Sequence, residues 1–187
     1  NALVLIDTGI GNKYGEKFAD IYGVSNSGEP TRLEDGIRDA GFDPDDIDIV
    51  LSTHLHFDHA GGNTVRDEAG IVRPSFPNAR YVVQKGELDF AHSQNERIRA
   101  SYLLENIEPV TEAGLWDLVE GEAEITEGIR VVPTPGHTPH HQSVLVRSDG
   151  DTACFLADVC PTSAHLPLPW IMGYDLEPLV TLESKRG

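Results

Sequence analysis

The chain has 187 residues, 39% of them apolar, with 14 Lys plus Arg against 31 Asp plus Glu and a net charge of −17. That length supports a substantial core without disulfides or a structural metal, and the composition describes a globular chain rather than a disordered one. So acidic a surface repels phosphate backbones and anionic membranes, which excludes nucleic acid and membrane as expected partners.

The first apolar stretch, Leu3 to Ile6, reads as a strand that ends at Asp7-Thr8-Gly9 and is followed by a Gly-rich turn at Gly11-Asn12. The chain opens inside this strand and without an initiator Met, so upstream residues are expected. Thr31 to Ala40 puts Leu33, Ile37 and Ala40 on one helical face, and Gly41 stops the helix.

Ile47 to Thr53 is a β-branched, apolar run that reads as a buried strand, and it leads directly into His54-Leu55-His56-Phe57-Asp58-His59. On extended backbone His54 and His56, two apart, point to the same side and offer two imidazoles to one ion. Asp58 and His59 fall where the chain turns into Ala60-Gly61-Gly62, and a turn redirects them toward a second ion. Neutral imidazole with carboxylate suits zinc, and also manganese, iron or cobalt. Chance histidines on a solvated loop are the weaker reading, because crowding His and Asp at a strand end without an ion is costly.

Tyr81 to Val83 reads as another short strand, and Lys85 to His92 as a helix lying over the site. Ile129 to Val132 is a strand ending at Pro133-Thr134-Pro135-Gly136-His137-Thr138-Pro139, where the prolines and Gly136 present the His137 imidazole in a fixed position. Ser143 to Val146 and Thr152 to Ala157 are two more strands, the latter ending at Asp158. A carboxylate closing the apolar run Cys154-Phe155-Leu156-Ala157 needs a cation or hydrogen bonds. Strands interleaved with helices, with polar residues gathered at the strand ends, indicate a layered α/β domain. Cys154 and Cys160 would lie ~20 Å apart on a continuous strand, beyond a disulfide, so a reducing, cytoplasmic compartment is expected. The sequence holds no apolar run of about 18 residues and no signal peptide.

Together, Leu5-Ile6-Asp7-Thr8-Gly9, the His54 to His59 motif, Thr134-Pro135-Gly136-His137-Thr138 and Leu156-Ala157-Asp158 resemble the metallo-β-lactamase superfamily in order and spacing. The resemblance implies an α/β (α+β) fold, a four-layer αββα sandwich, over residues 1–187 as a single domain incomplete at both ends. It also implies a two-metal site, with His54, His56 and His137 on one ion, Asp58 and His59 on the second, and Asp158 bridging them. His59 stands where one β-lactamase subclass carries Arg, and His56 where the diiron flavoproteins carry Glu. Ser93 to Arg97, Ala157 to Thr162, Trp170 and Tyr174-Asp175 look most like the branch containing quorum-quenching N-acyl homoserine lactone lactonases.

The family's last histidine ligand, which follows the bridging Asp by a longer stretch, has no counterpart here: His165 comes too soon after Asp158. Leu182 to Lys185 reads as a helix in mid-course, so the protein is expected to continue past Gly187. Pro139-His140-His141 departs from the family's Gly before the histidine. There His141 matches a residue backing the ligands, and His140 reads as a solvated loop histidine. Cys160 reads as core or pocket lining rather than a rival ligand.

The implied reaction uses a metal-bridging hydroxide to open a lactone or cleave a carboxylic ester, with N-acyl homoserine lactones as candidate substrates and two divalent ions, zinc foremost, as cofactors. Asp58 is the expected catalytic residue, orienting the nucleophile and passing a proton to the leaving group. Asp7 is expected to accept a hydrogen bond from a ligand imidazole. Phe57, Phe90, Tyr102, Trp170, Met172 and Tyr174 are candidate pocket walls or core. The partners expected are a small ester or lactone and, for the assembly, a homodimer. Two other readings stay open. A glutathione-thioester hydrolase of this fold would need a basic patch, and a metal-binding interaction module without catalysis would fit the absent last histidine.

Overall fold

In the computed structural model, which describes residues 2–25 and 31–187, the strand Val4–Ile6 (β1) runs parallel to Ile49–Leu51 (β2), pairing Val4 with Ile49 and Ile6 with Leu51. β2 pairs in parallel with Arg80–Gln84 (β5), and Trp116–Val119 (β6) completes a sheet of order β1-β2-β5-β6. A two-stranded hairpin of Thr64–Arg66 (β3) and Val72–Pro74 (β4) stands apart from it. Helices Glu16–Tyr22 (α1), Arg32–Asp39 (α2), Phe57–Ala60 (α3) and Glu108–Glu112 (α5) belong to the same compact unit, which comprises residues 1–82 and 91–117.

β2 is buried along its whole length because Ile49, Val50 and Leu51 present apolar groups to both faces, as parallel strands require. Val50 joins Ile37, Ile47, Phe76, Ala79, Tyr81 and Val110 in the core of this unit, with Leu3, Leu5, Leu33 and Trp116 packed against it. α2 forms where the sequence places it. Thr31 accepts from the Glu34 amide while the Glu34 carboxylate accepts from the Thr31 amide, a reciprocal cap, and Ile37 carries the buried face. The expected strand from Ile47 to Thr53 is shorter, three ladder residues. Ser52 and Thr53 leave the ladder, Ser52 N donating to Val82 O and Thr53, at a bend, donating its amide and hydroxyl to the Asp7 carboxylate.

The second unit comprises residues 83–90 and 118–187 and holds an antiparallel sheet of order β10-β9-β8-β7. Its strands are Ala123–Thr126 (β7), Ile129–Pro133 (β8), Gln142–Ser148 (β9) and Asp151–Phe155 (β10). β9 and β10 meet through Asp149-Gly150, both at positive φ, a tight hairpin whose twist suits the strands. Pro133 pairs with Gln142, so residues 134–141 form the loop that carries His137. Helix Lys85–His92 (α4) forms as expected, and Pro178–Ser184 (α6) ends at a Lys185 cap. β10 stops at Phe155, earlier than expected, and Asp158 sits in a 3₁₀ turn, Ala157–Val159, entered through Ala157 at φ +47°. That turn also breaks the continuous strand assumed between Cys154 and Cys160; both cysteines are outside any disulfide. No helix among the described residues is long and apolar enough to cross a membrane.

Candidate functional site

In the first unit the site begins with Asp7, one residue past β1, at φ +53°. Asp tolerates this left-handed backbone better than most residues, and the geometry turns its carboxylate toward the end of β2. Asp7 Oδ1 accepts from Thr53 N at 2.8 Å, and Oδ2 accepts from Thr53 Oγ1 and faces His59 Nδ1, each at 2.9 Å. Asp7 therefore contacts one imidazole of the motif, that of His59.

This network fixes tautomers. Because the Thr53 hydroxyl gives its proton to Asp7, its oxygen accepts from His54 Nδ1 at 3.0 Å, which places the His54 lone pair on Nε2. The same logic at His59 puts its proton on Nδ1, toward Asp7, and its lone pair on Nε2. His54 Nε2 and His56 Nδ1 face one another at 3.1 Å, as extended backbone through residue 56 dictates. Asp58 and His59 lie on the helical turn α3 rather than an irregular turn, with His59 Nε2 3.8 Å from Asp58 Oδ2. The His54 ring also lies 4.2 Å from that of His59. Tyr102, fully buried, sets its ring 4.7 Å from that of His56.

In the second unit His137, 2% exposed, places Nδ1 3.1 Å from Asp175 Oδ1 and Nε2 3.3 Å from Asp158 Oδ2. Asp175, named in the sequence only beside Tyr174 and without a role, is here the partner of His137. Its side chain is fully buried, and its Oδ2 has no hydrogen-bond partner among the described residues. Such an arrangement costs folding energy, and what it supplies is an acceptor that holds the proton on His137 Nδ1 and the lone pair on Nε2. The backbone reinforces it: Leu176 N donates to His137 O and Glu177 N to Gly136 O. Gly136 is required because a Cβ there would lie 2.3 Å from the Thr181 amide nitrogen.

His141 is buried behind Asp158, whose amide donates to His141 Nε2 at 3.3 Å, while Nδ1 faces Thr134 Oγ1 at 2.8 Å. This is the backing position expected for it. His140 is exposed, as expected, with its ring against Gly86. Of the candidate walls, Tyr102 is core, Phe57 packs edge-on to Phe18 at 5.0 Å, and Trp170 and Tyr174 are 64% and 81% exposed.

Two ligands on one tetrahedral zinc with 2.0–2.1 Å bonds stand about 3.3 Å apart. The facing pairs in each unit, imidazole with imidazole and imidazole with carboxylate, have that spacing and the right donor chemistry, so the residues fit divalent metal.

A mixed α/β fold whose strand ends carry histidine and carboxylate donors defines a class of metal-site proteins, and comparison with known proteins gives the family. The model of the metallo-beta-lactamase superfamily matches residues 1–184, and the chain belongs to that superfamily. It is 31% identical over 153 residues to an N-acyl homoserine lactonase of a Bacillus species, covering 78% of this chain and 54% of that protein. A crystal structure of a probable metal-dependent hydrolase from Staphylococcus aureus is 33% identical, with a TM-score of 0.88 over 98% of this chain and 63% of that one. An N-acyl homoserine lactone hydrolase with the product N-hexanoyl-L-homoserine bound at its catalytic metal centre is 26% identical, with a TM-score of 0.73 over 98% of this chain and 69% of that one. The chain spans about half the length of the curated relatives it matches.

Proposed function

We propose that this chain supplies the metal site of a hydrolase that opens the lactone ring of N-acyl homoserine lactones. In this reading His54, His56 and His137 hold one divalent ion, Asp58 and His59 hold a second, and Asp158 bridges them. The observation that carries it is the set of locked tautomers. Asp7, Thr53 and Asp175 take the Nδ1 protons of His59, His54 and His137, so that in all three Nε2 is the ring nitrogen left with a lone pair for an ion. Zinc suits the donor set best, with manganese, iron and cobalt as alternatives. The substrate class is supported by the relatives named N-acyl homoserine lactonase.

When bound, the ions supply an acidified water near neutral pH and polarise the carbonyl. The protein's own groups do the rest. Asp58, whose side chain is 51% exposed, is the carboxylate with access to solvent and substrate, and it takes the proton of the attacking water and returns it to the ring oxygen as the acyl C–O bond breaks. Asp7 and Asp175 keep the imidazoles in register through the turnover. Water is added across one ester bond, and no side-chain nucleophile is consumed.

The reading is tested by comparing kcat/KM for N-hexanoyl homoserine lactone, a simple aryl ester and a glutathione thioester on metal-loaded protein. The lactone is expected to be the best substrate. Preference for the thioester would move the activity to the glutathione class, and metal uptake without turnover of any of them would make the chain a binding module.

A further inference from the structure

Lys13 is a half-buried cation that takes no part in the chemistry described above. Its Nζ donates to the carbonyl oxygens of Gly61 and Thr64, the latter at 2.6 Å. These carbonyls bracket the 3₁₀ turn Gly61–Asn63, which directly continues α3, the helical turn bearing Asp58 and His59. Burial pushes the ammonium down to about 8, with Glu105 opposing the shift and Arg66 adding to it. The two carbonyls offset part of the cost of drawing the ammonium out of water.

The backbone around it leaves no slack. A Cβ on Gly11 would lie 2.2 Å from the Gly61 oxygen, one on Gly61 2.2 Å from the Ile10 oxygen, and one on Gly62 2.3 Å from the Thr8 oxygen. Thr8 N donates to His59 O at 2.7 Å and Gly62 N to Gly9 O at 3.1 Å. The Asn12 side chain donates to Arg66 O and accepts from Arg66 N, each at 3.1 Å. Residues 8–13 are thus laid directly on residues 59–66, and Lys13 adds the charged bonds to that contact. His54 and His56 are held differently, by Thr53 and by the Tyr102 ring.

We propose that Lys13 is a positioning residue for the Asp58–His59 pair. By tying the carbonyls of Gly61 and Thr64 it fixes α3, and with it the affinity for the second ion, while His54 and His56 stay in place. The inference rests on the assignment of Asp58 and His59 to that second ion.

The test is stepwise Zn²⁺ titration of the metal-free protein against a chromogenic chelator, with Asp58→Ala marking the step that belongs to the second ion. Lys13→Met, which keeps the length and loses the donors, is expected to weaken that step by about 10–100-fold and leave the other unchanged, the range seen when groups supporting a ligand are lost. General loosening of the fold would instead weaken both steps together. Equal weakening of both steps, or neither, would overturn the role of Lys13 while leaving the metal reading intact. A wild-type protein that takes up no ion would overturn both. If Lys13→Met does not fold, Lys13→Gln, whose amide can reach one of the two carbonyls, is titrated in its place, and the same selective loss is expected.

Discussion

Asp58→Asn is expected to lower kcat for lactone opening by about 10²–10⁴-fold, the range of a general acid–base contribution, with most of the bound metal retained. The amide keeps the size of the side chain and one ligating oxygen, so the ions remain. What it loses is the ability to take a proton from water and return it to the ring oxygen. Asp58 suits this role because it lies on α3 beside His59 with half of its side chain exposed, whereas Asp7 and Asp175 are nearly or fully buried and accept imidazole protons, and Asp158, less exposed than Asp58, is assigned to the bridge. Steady-state kinetics alongside metal analysis decides the matter. Wild-type kcat in the variant would refute the role, and loss of metal in step with activity would reduce Asp58 to a ligand.

The second large effect is expected at Asp7, whose carboxylate is committed to Thr53 and His59 rather than to substrate. Asp7→Ala removes three bonds at once, to Thr53 N, Thr53 Oγ1 and His59 Nδ1. The His59 tautomer is then unspecified, and the Thr53 hydroxyl no longer has a reason to point away from His54. Metal affinity should fall by about 10–100-fold. Each buried donor left without a partner should also cost about 1–3 kcal/mol, read as a lower Tm of the metal-free protein. Asp7→Asn, which keeps an acceptor for the Thr53 amide, should recover much of the stability and less of the affinity. Equal affinity in all three proteins would contradict the role given to Asp7.

Much of this site was legible in the sequence because its donors are concentrated. The His54 to His59 window announces metal by residue type, and an apolar strand before it tells how His54 and His56 are oriented. His137 is bracketed by Pro and Gly, and Asp158 closes an apolar run, so each looks out of place without a ligand. The strand ends were harder. Ser52 and Thr53 follow an apolar run without a break signal, yet they bond to Val82 and Asp7 rather than to a continuing ladder, with Thr53 at a bend. β6 and β7 mix Asp117 and Glu124 with apolar residues over only four positions each, too short for a period-2 pattern to stand out.

The roles of Asp175 and Lys13 were illegible for a different reason. Asp175 sits in a Gly- and Pro-punctuated stretch and acquires its meaning from His137, 38 residues earlier. Lys13 looks like any polar residue after a Gly-rich turn until Gly61, 48 residues later, is laid against it. Local pattern carries no record of such pairs, whose partners are chosen by tertiary packing.

In the proposed function the histidine and carboxylate donors bind the ions on which lactone opening depends. The most direct measurement strips the protein with chelator, restores Zn²⁺ in sub-stoichiometric steps, and follows proton release from N-hexanoyl homoserine lactone at constant pH. Activity should vanish on stripping and return in proportion to the zinc taken up, and His54→Ala should neither bind normally nor recover. Hydrolysis that persists in the stripped protein, or that is indifferent to His54, would contradict a metal-dependent reaction at these donors.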